Sequence, residues 1–220
     1  IAGNTPATQP PKSGKAYVVS NAHLDTQWLW TVRTSIIDYI PRTIYQNLAL
    51  IHDYPDYIFN FEGAVKYNWM KEYYPLDYEK VKEAIKNGRW HVSGSSWDAN
   101  DVNVPSPESS FRNILLGQEF YKKEFGLKST DIFLPDCFGF GYTLPSIAKH
   151  CGLIGFSTQK LGWRKKPFYG DSKIPFTIGR WKGIDGAELI CALDCGSYVH
   201  NFKDDDLTKD NDLIQSVERD

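Results

Sequence analysis

Ser20-Asn21-Ala22-His23-Leu24-Asp25-Thr26-Gln27-Trp28 follows directly on the apolar run Ala16-Tyr17-Val18-Val19. The apolar run reads as a short buried strand, so His23 and Asp25 fall where a strand hands over to a loop. In α/β enzymes that is where the chemistry collects. In an extended segment residues i and i+2 point to the same side, which lets His23 and Asp25 converge on one small object such as a metal ion. An imidazole nitrogen with a carboxylate oxygen is a set that zinc accepts, but a catalytic zinc needs three protein ligands and an open position. On its own, therefore, the H-x-D tripeptide is equally a loop-end histidine hydrogen-bonded to a nearby carboxylate.

Outward from this stretch, strand and helix signals alternate. Trp28 to Leu50 carries apolar residues at helical spacing, with Ile36, Ile37, Ile40, Ile44, Leu48 and Ile51 on one face and Pro41 at a kink or break. Tyr57 to Phe61 reads as a strand with Glu62-Gly63 as its exit loop, and Ala64 to Tyr73 and Tyr78 to Asn87 read as helices, the latter ending at Gly88. Trp90 to Gly94 is a further strand, followed by the polar run Ser95 to Pro107, which carries Trp97, Asp98, Asp101 and Asn103. Such a loop is either a surface turn or a functional segment.

Ser109 to Gly126 reads as an amphipathic helix closed by its glycine, with Phe111, Ile114, Leu115, Phe120 and Phe125 apolar. Asp131 to Pro135 is a strand with Asp136 at its exit, Leu144 to Gly152 a helix, and Leu153 to Thr158 a strand with Lys160 at its exit. Thr177 to Trp181 and Glu188 to Leu193 read as two more strands, followed by the polar segment Asp194 to Asn201. The alternation argues for an α/β architecture of parallel strands with right-handed crossovers. Strand exits then share one face, so His23, Asp25, Asp101, Asp136 and Lys160 become candidates for a single crevice.

Composition limits the function classes. The chain has 220 residues, 41% hydrophobic and 15% aromatic, enough for a sizeable core. Its formal net charge is −2 with acids and bases interspersed, so nothing suggests nucleic acid or a membrane surface, and no apolar run reaches the ~20 residues of a membrane span. Seven Trp, thirteen Tyr and twelve Phe mostly fill a core on this reading, with some left to stack on a sugar ring. Residues 1–14 form a Pro/Thr/Ser/Gly-rich lead read as a flexible arm, and 15–220 form the α/β domain. The lead has the character of a processed export product, which favours a periplasmic or extracellular location, with the cytoplasm as the alternative. Cys137, Cys151, Cys191 and Cys195 lack the C-x2-C spacing of structural zinc sites and read as free thiols.

Several blocks in order carry a family resemblance: His23-Leu24-Asp25-Thr26-Gln27-Trp28; Trp97 to Ser109, with Asp101, Asn103, Pro105, Ser106, Glu108 and Ser109; Leu134-Pro135-Asp136-Cys137-Phe138-Gly139, followed by Leu144-Pro145; and Thr158-Gln159-Lys160-Leu161. They resemble the zinc-dependent α-mannosidases of glycoside hydrolase family 38, and the likeness runs from about Tyr17 to Tyr198. The resemblance implies a parallel-stranded (β/α)7-type barrel, incomplete in this chain. It implies zinc as cofactor, with His23, Asp25 and Asp136 as ligands and Asp136 also the nucleophile of a retaining hydrolysis. Trp28 would pack against the sugar in the cleavage subsite, Lys160 would stand beside the nucleophile, and Tyr198 would line the subsite. Asp101 is expected to position the third loop. The implied partner is a mannose-containing oligosaccharide or N-glycan.

Each residue has a plainer reading: Asp136 as a turn carboxylate, Trp28 as core, Lys160 as a solvated lysine. The family's second zinc histidine and its acid/base aspartate have no counterpart here; no motif places His200, Asp194 or Asp204 to Asp206 in those roles. The 220 residues are thus expected to be the front of a larger polypeptide, whose remainder is needed for turnover. Two other functions stay open, a deacetylase-like metal-dependent carbohydrate hydrolase and a non-catalytic sugar-binding module.

Overall fold

The computed structural model describes residues 20–159 and 178–193. The expected strand Ala16 to Val19, the arm at 1–14, Lys160, Cys195 and Tyr198 lie outside the described residues. The first described strand is β1 (Ser20–Ala22), and His23 follows it immediately.

The elements then run α1 (Val32–Thr34), a π-helical turn (Ser35–Tyr39), α2 (Ile40–Asp53), β2 (Phe59–Glu62), α3 (Ala64–Tyr73), α4 (Pro75–Lys86), β3 (Trp90–Ser93), α5 (Pro107–Phe125), β4 (Asp131–Phe133), α6 (Leu144–His150), β5 (Gly155–Thr158), β6 (Ile178–Lys182) and β7 (Glu188–Leu193). Pro41 marks the switch from π to α geometry: it has no N–H to give the preceding turn, and it sits in the first turn of α2, where none is needed. That switch rotates the stripe, so Ile40 and Ile44 are buried while Ile37, expected beside them, is exposed.

Strands β1, β2 and β3 pair in parallel, with Asn21 opposite Asn60 and Asn60 opposite His91. Strands β4, β5 and β7 form a second parallel set. The expectation of parallel strands throughout fails at β6, which pairs antiparallel on the outer side of β7 as a hairpin. Only five residues, 183–187, separate Lys182 from Glu188 at the start of β7, and so short a link permits a hairpin but no crossover. The two sheets adjoin where Gly94, just beyond β3, donates its N–H to Asp131 Oδ2 at the start of β4 (3.3 Å).

Two cores lie against these sheets. Phe59, Phe61, Trp90 and Val92 point from β2 and β3 into a cluster with Ile40, Ile44, Tyr67, Tyr78 and Tyr121. Within it the Trp90 indole N–H donates to the Tyr67 hydroxyl (3.0 Å), which donates to the Phe61 carbonyl oxygen (2.9 Å). The second cluster joins Ile114 of α5 to Ile132, Phe156, Leu189 and Cys191. Helix α5 therefore serves both cores, and Gly126 ends it in the left-handed conformation expected of a C-cap glycine. Leu115, expected on its apolar face, is exposed. The opposite face of the strands is polar, where Asn21, Asn60, His91, Ser93, Asp131 and Ser157 line a concavity with Phe133. Cys137, Cys151 and Cys191 are free thiols, and among the described residues no helix is long and apolar enough to cross a membrane.

Candidate metal centre

The loop after β1 is held from behind. The Ser35 hydroxyl, fully buried in the π turn, reaches back to the carbonyl oxygens of Thr26 (2.9 Å) and Asp25 (3.3 Å), and it accepts from the Trp30 indole N–H (2.8 Å). π turns recur where helices are bent to serve a site, and this one carries the anchor for the H-x-D loop.

Asp136 lies in the turn three residues beyond β4. That turn is tied to the loop after β3, since the Cys137 thiol donates to the Asn100 carbonyl oxygen (3.1 Å). Asn103 packs close against it: a Cβ built on Gly139 would lie 3.2 Å from Asn103 Nδ2. Asp101 in turn accepts from the backbone N–H groups of Asn103 (2.7 Å) and Val104 (2.9 Å), so its carboxylate shapes its own loop.

His23, Asp25 and Asp136 meet. One ligand atom from each lies within 4.8 Å of the others, and His23 Nε2 stands 3.3 Å from Asp25 Oδ1. In a tetrahedral site with bonds of about 2.0–2.2 Å, neighbouring donors sit about 3.3–3.5 Å apart, so the His23–Asp25 edge already has that length. One imidazole nitrogen and two carboxylate oxygens suit a divalent cation, and their convergence gives the chain a group of residues able to hold one. Trp28 stands away from the core, 70% exposed, edge-on to Trp30 with ring centroids 5.9 Å apart. Trp28 belongs to neither core cluster of the described residues. Lys160 and Tyr198 lie outside the described residues.

Sequence reasoning missed the groups behind His23. Glu62, read as part of an exit loop, is the last residue of β2 and buried, and its Oε1 lies 3.0 Å from His23 Nδ1. Lys66 Nζ, fully buried, donates to both Glu62 oxygens (3.2 and 3.3 Å) and to Asp98 Oδ1 (3.3 Å). Asp98 Oδ2 accepts from the Thr26 hydroxyl. Burial pushes the Glu62 carboxyl up, but Lys66 and His23 outweigh it and hold the group below its ordinary value. Burial pushes Lys66 down, and Glu62 with Asp98 raise it above the usual lysine value. For His23 burial lowers and Glu62 raises, with a net rise. As ionised Glu62 can only accept, the imidazole Nδ1–H donates to it and Nε2 faces Asp25.

The helix start is built around this cluster. Gly63 has φ +89°, and a Cβ there would stand 2.6 Å from Lys66 Nζ, so glycine alone suits both the backbone and the space. The first N–H groups of α3, on Ala64 and Val65, are capped by the carbonyl oxygens of Ser96 (3.2 Å) and Trp97 (2.9 Å), which brings Asp98 over Lys66. The only advance signal was a carboxylate at a strand exit followed four residues later by a lysine.

Residues 13–219 match the glycosyl hydrolases family 38 N-terminal domain. Alpha-mannosidase G of Dictyostelium discoideum is 36% identical over 80% of this chain and 16% of its own length, and an alpha-mannosidase of Saccharomyces cerevisiae is 34% identical over 82% and 16%. The chain thus spans about a sixth of the length of these relatives. Among solved structures, an alpha-mannosidase from Enterococcus faecalis V583 superposes with a TM-score of 0.70 at 23% identity, covering 82% of this chain and 20% of that one, a likeness of fold. With the family's N-terminal domain matched over nearly the whole sequence, the chain belongs to glycosyl hydrolase family 38, as its N-terminal domain.

Proposed function

We propose that this chain forms the metal-holding part of a retaining α-mannosidase that removes α-linked mannose from glycans, its strands closing into a (β/α)7-type barrel with the rest of the polypeptide. The observation that carries the reading is the meeting of His23 and Asp25, from the exit of β1, with Asp136, from the exit of β4, within 4.8 Å. Family membership and the names of the relatives add the substrate class.

Zinc bound by these three residues would supply a Lewis acid that keeps the Asp136 carboxylate ionised and takes sugar hydroxyls. Asp136 attacks the anomeric carbon, forming a glycosyl ester as the leaving oxygen receives a proton from an acid elsewhere in the polypeptide. Water then cleaves the ester with retention. The exposed ring of Trp28 offers an apolar platform for the C–H face of the sugar.

The test is hydrolysis of a nitrophenyl α-mannoside by the full-length protein, before and after chelation and after zinc is returned. Turnover lost to the chelator and recovered with zinc is expected. A metal-loaded protein that binds mannose without turning it over would instead be a sugar-binding module, and acetate release from an acetylated saccharide would make it a deacetylase.

A further inference from the structure

Lys66 has no exposed surface, yet it lies between two carboxylates directly behind His23. We propose that Glu62 is a positioning residue for the metal-holding imidazole. It takes the Nδ1–H of His23 and thereby presents Nε2 to the metal, while Lys66, clamped between Glu62 and Asp98, holds Glu62 in place and locks together the loops after β1, β2 and β3. This inference rests on the metal reading of His23, Asp25 and Asp136.

The geometry separates this role from simple packing. Glu62 Oε1 is shared, lying 3.0 Å from His23 Nδ1 and 3.2 Å from Lys66 Nζ, so the ring cannot turn without breaking a contact that the lysine also uses. A ring turned by 180° about Cβ–Cγ would put Cδ2 toward Glu62 and Cε1 toward Asp25, losing the arrangement in which one nitrogen donates and the other ligates. Lys66 next spans to Asp98, whose second oxygen accepts from Thr26, the residue after Asp25. The chain Thr26–Asp98–Lys66–Glu62–His23 therefore closes a ring around the H-x-D loop, fixing it at both ends. Buried ion pairs are poor stabilisers, since apolar residues of similar volume often serve as well or better. A ring that must keep one orientation and one tautomer, by contrast, needs an anionic acceptor at one point, and metal-ligating histidines generally have one.

The test compares the full-length wild-type protein with Glu62→Gln, Lys66→Met and the double variant. Three quantities are read: zinc affinity by competition with a chromophoric chelator, the melting temperature of the metal-free form, and the visible absorption of the cobalt-loaded form. Glu62→Gln is expected to weaken zinc binding about 10–100-fold and to shift the cobalt spectrum. The double variant removes both charges together, so its melting temperature is expected to return toward wild type while zinc affinity stays low. Recovery of zinc affinity in step with melting temperature would reduce the pair to a structural role and overturn the inference, as would wild-type zinc affinity in Glu62→Gln. Wild-type protein that takes up no zinc would overturn the metal reading itself, and this inference with it.

Discussion

His23 has a different acid at each ring nitrogen, Glu62 at Nδ1 and Asp25 at Nε2, an asymmetry that suits the ligand role proposed for it. A carboxylate oxygen of Asp136 lies within 4.8 Å of a His23 ring nitrogen and an Asp25 oxygen. Replacing Asp136 with Asn keeps the volume but removes the charge; if the carboxylate is the nucleophile, α-mannoside turnover by the full-length protein should fall by on the order of 10³-fold or more, with the fold intact by circular dichroism. Trp28→Ala removes an exposed ring and should leave the unfolding free energy within about 0.5 kcal/mol of wild type while raising KM for the mannoside. At this scale the His23-Leu24-Asp25 and Pro135-Asp136-Cys137-Phe138-Gly139 segments were legible through the family resemblance, since each alone admits a plainer reading. Glu62 and Lys66 were not, because a glutamate and a lysine four residues apart usually mark a solvated surface pair, and only burial shows otherwise.

Helix α5 is the element on which the two cores and the third loop depend. Gly117 lies where the helix crosses the loop after β3: a Cβ there would collide with the Ser95 carbonyl oxygen and stand 2.7 Å from the Trp97 backbone nitrogen. Since Ser96 and Trp97 cap α3 and Trp97 N–H donates to the Asn113 carbonyl oxygen (2.8 Å), the displacement would reach Asp98. Gly117→Ala should therefore cost about 1–3 kcal/mol, read as a lower melting temperature, although alanine is the better helix former. Near its other end, α5 is pinned to α3 and α4 through Glu124, which accepts from Lys71 Nζ (2.7 Å) and the Tyr78 hydroxyl (3.2 Å). Burial raises the Glu124 carboxyl, but Lys71 and Tyr78 outweigh it and hold it below 4.5. Its contribution to stability is thus complete above 4.5 and disappears as pH falls through the lower folded value. Denaturation of Glu124→Gln should show a deficit near neutral pH that closes in acid. Helix positions were readable from apolar spacing and from Gly126, whereas the π turn was not, because the same residues satisfy either period.

In the whole molecule, strand exits from separate segments deliver one cluster. Returning zinc to chelated full-length protein at about 100 times its dissociation constant should add about 2.7 kcal/mol to stability, seen as a rise in melting temperature; no rise would mean the cluster holds no metal. The sequence by itself determined the α/β alternation, the helix stops and the residue types of the site, because these depend on local periodicity and on side-chain chemistry. Only the tertiary structure decided that β6 turns back against β7, that Trp28 faces outward, and that Asp136 reaches His23 and Asp25. It alone placed a buried lysine and two carboxylates behind the histidine. Those outcomes depend on which distant backbones come together and exclude water, and water exclusion is what turns an ordinary Glu–Lys spacing into a clamp.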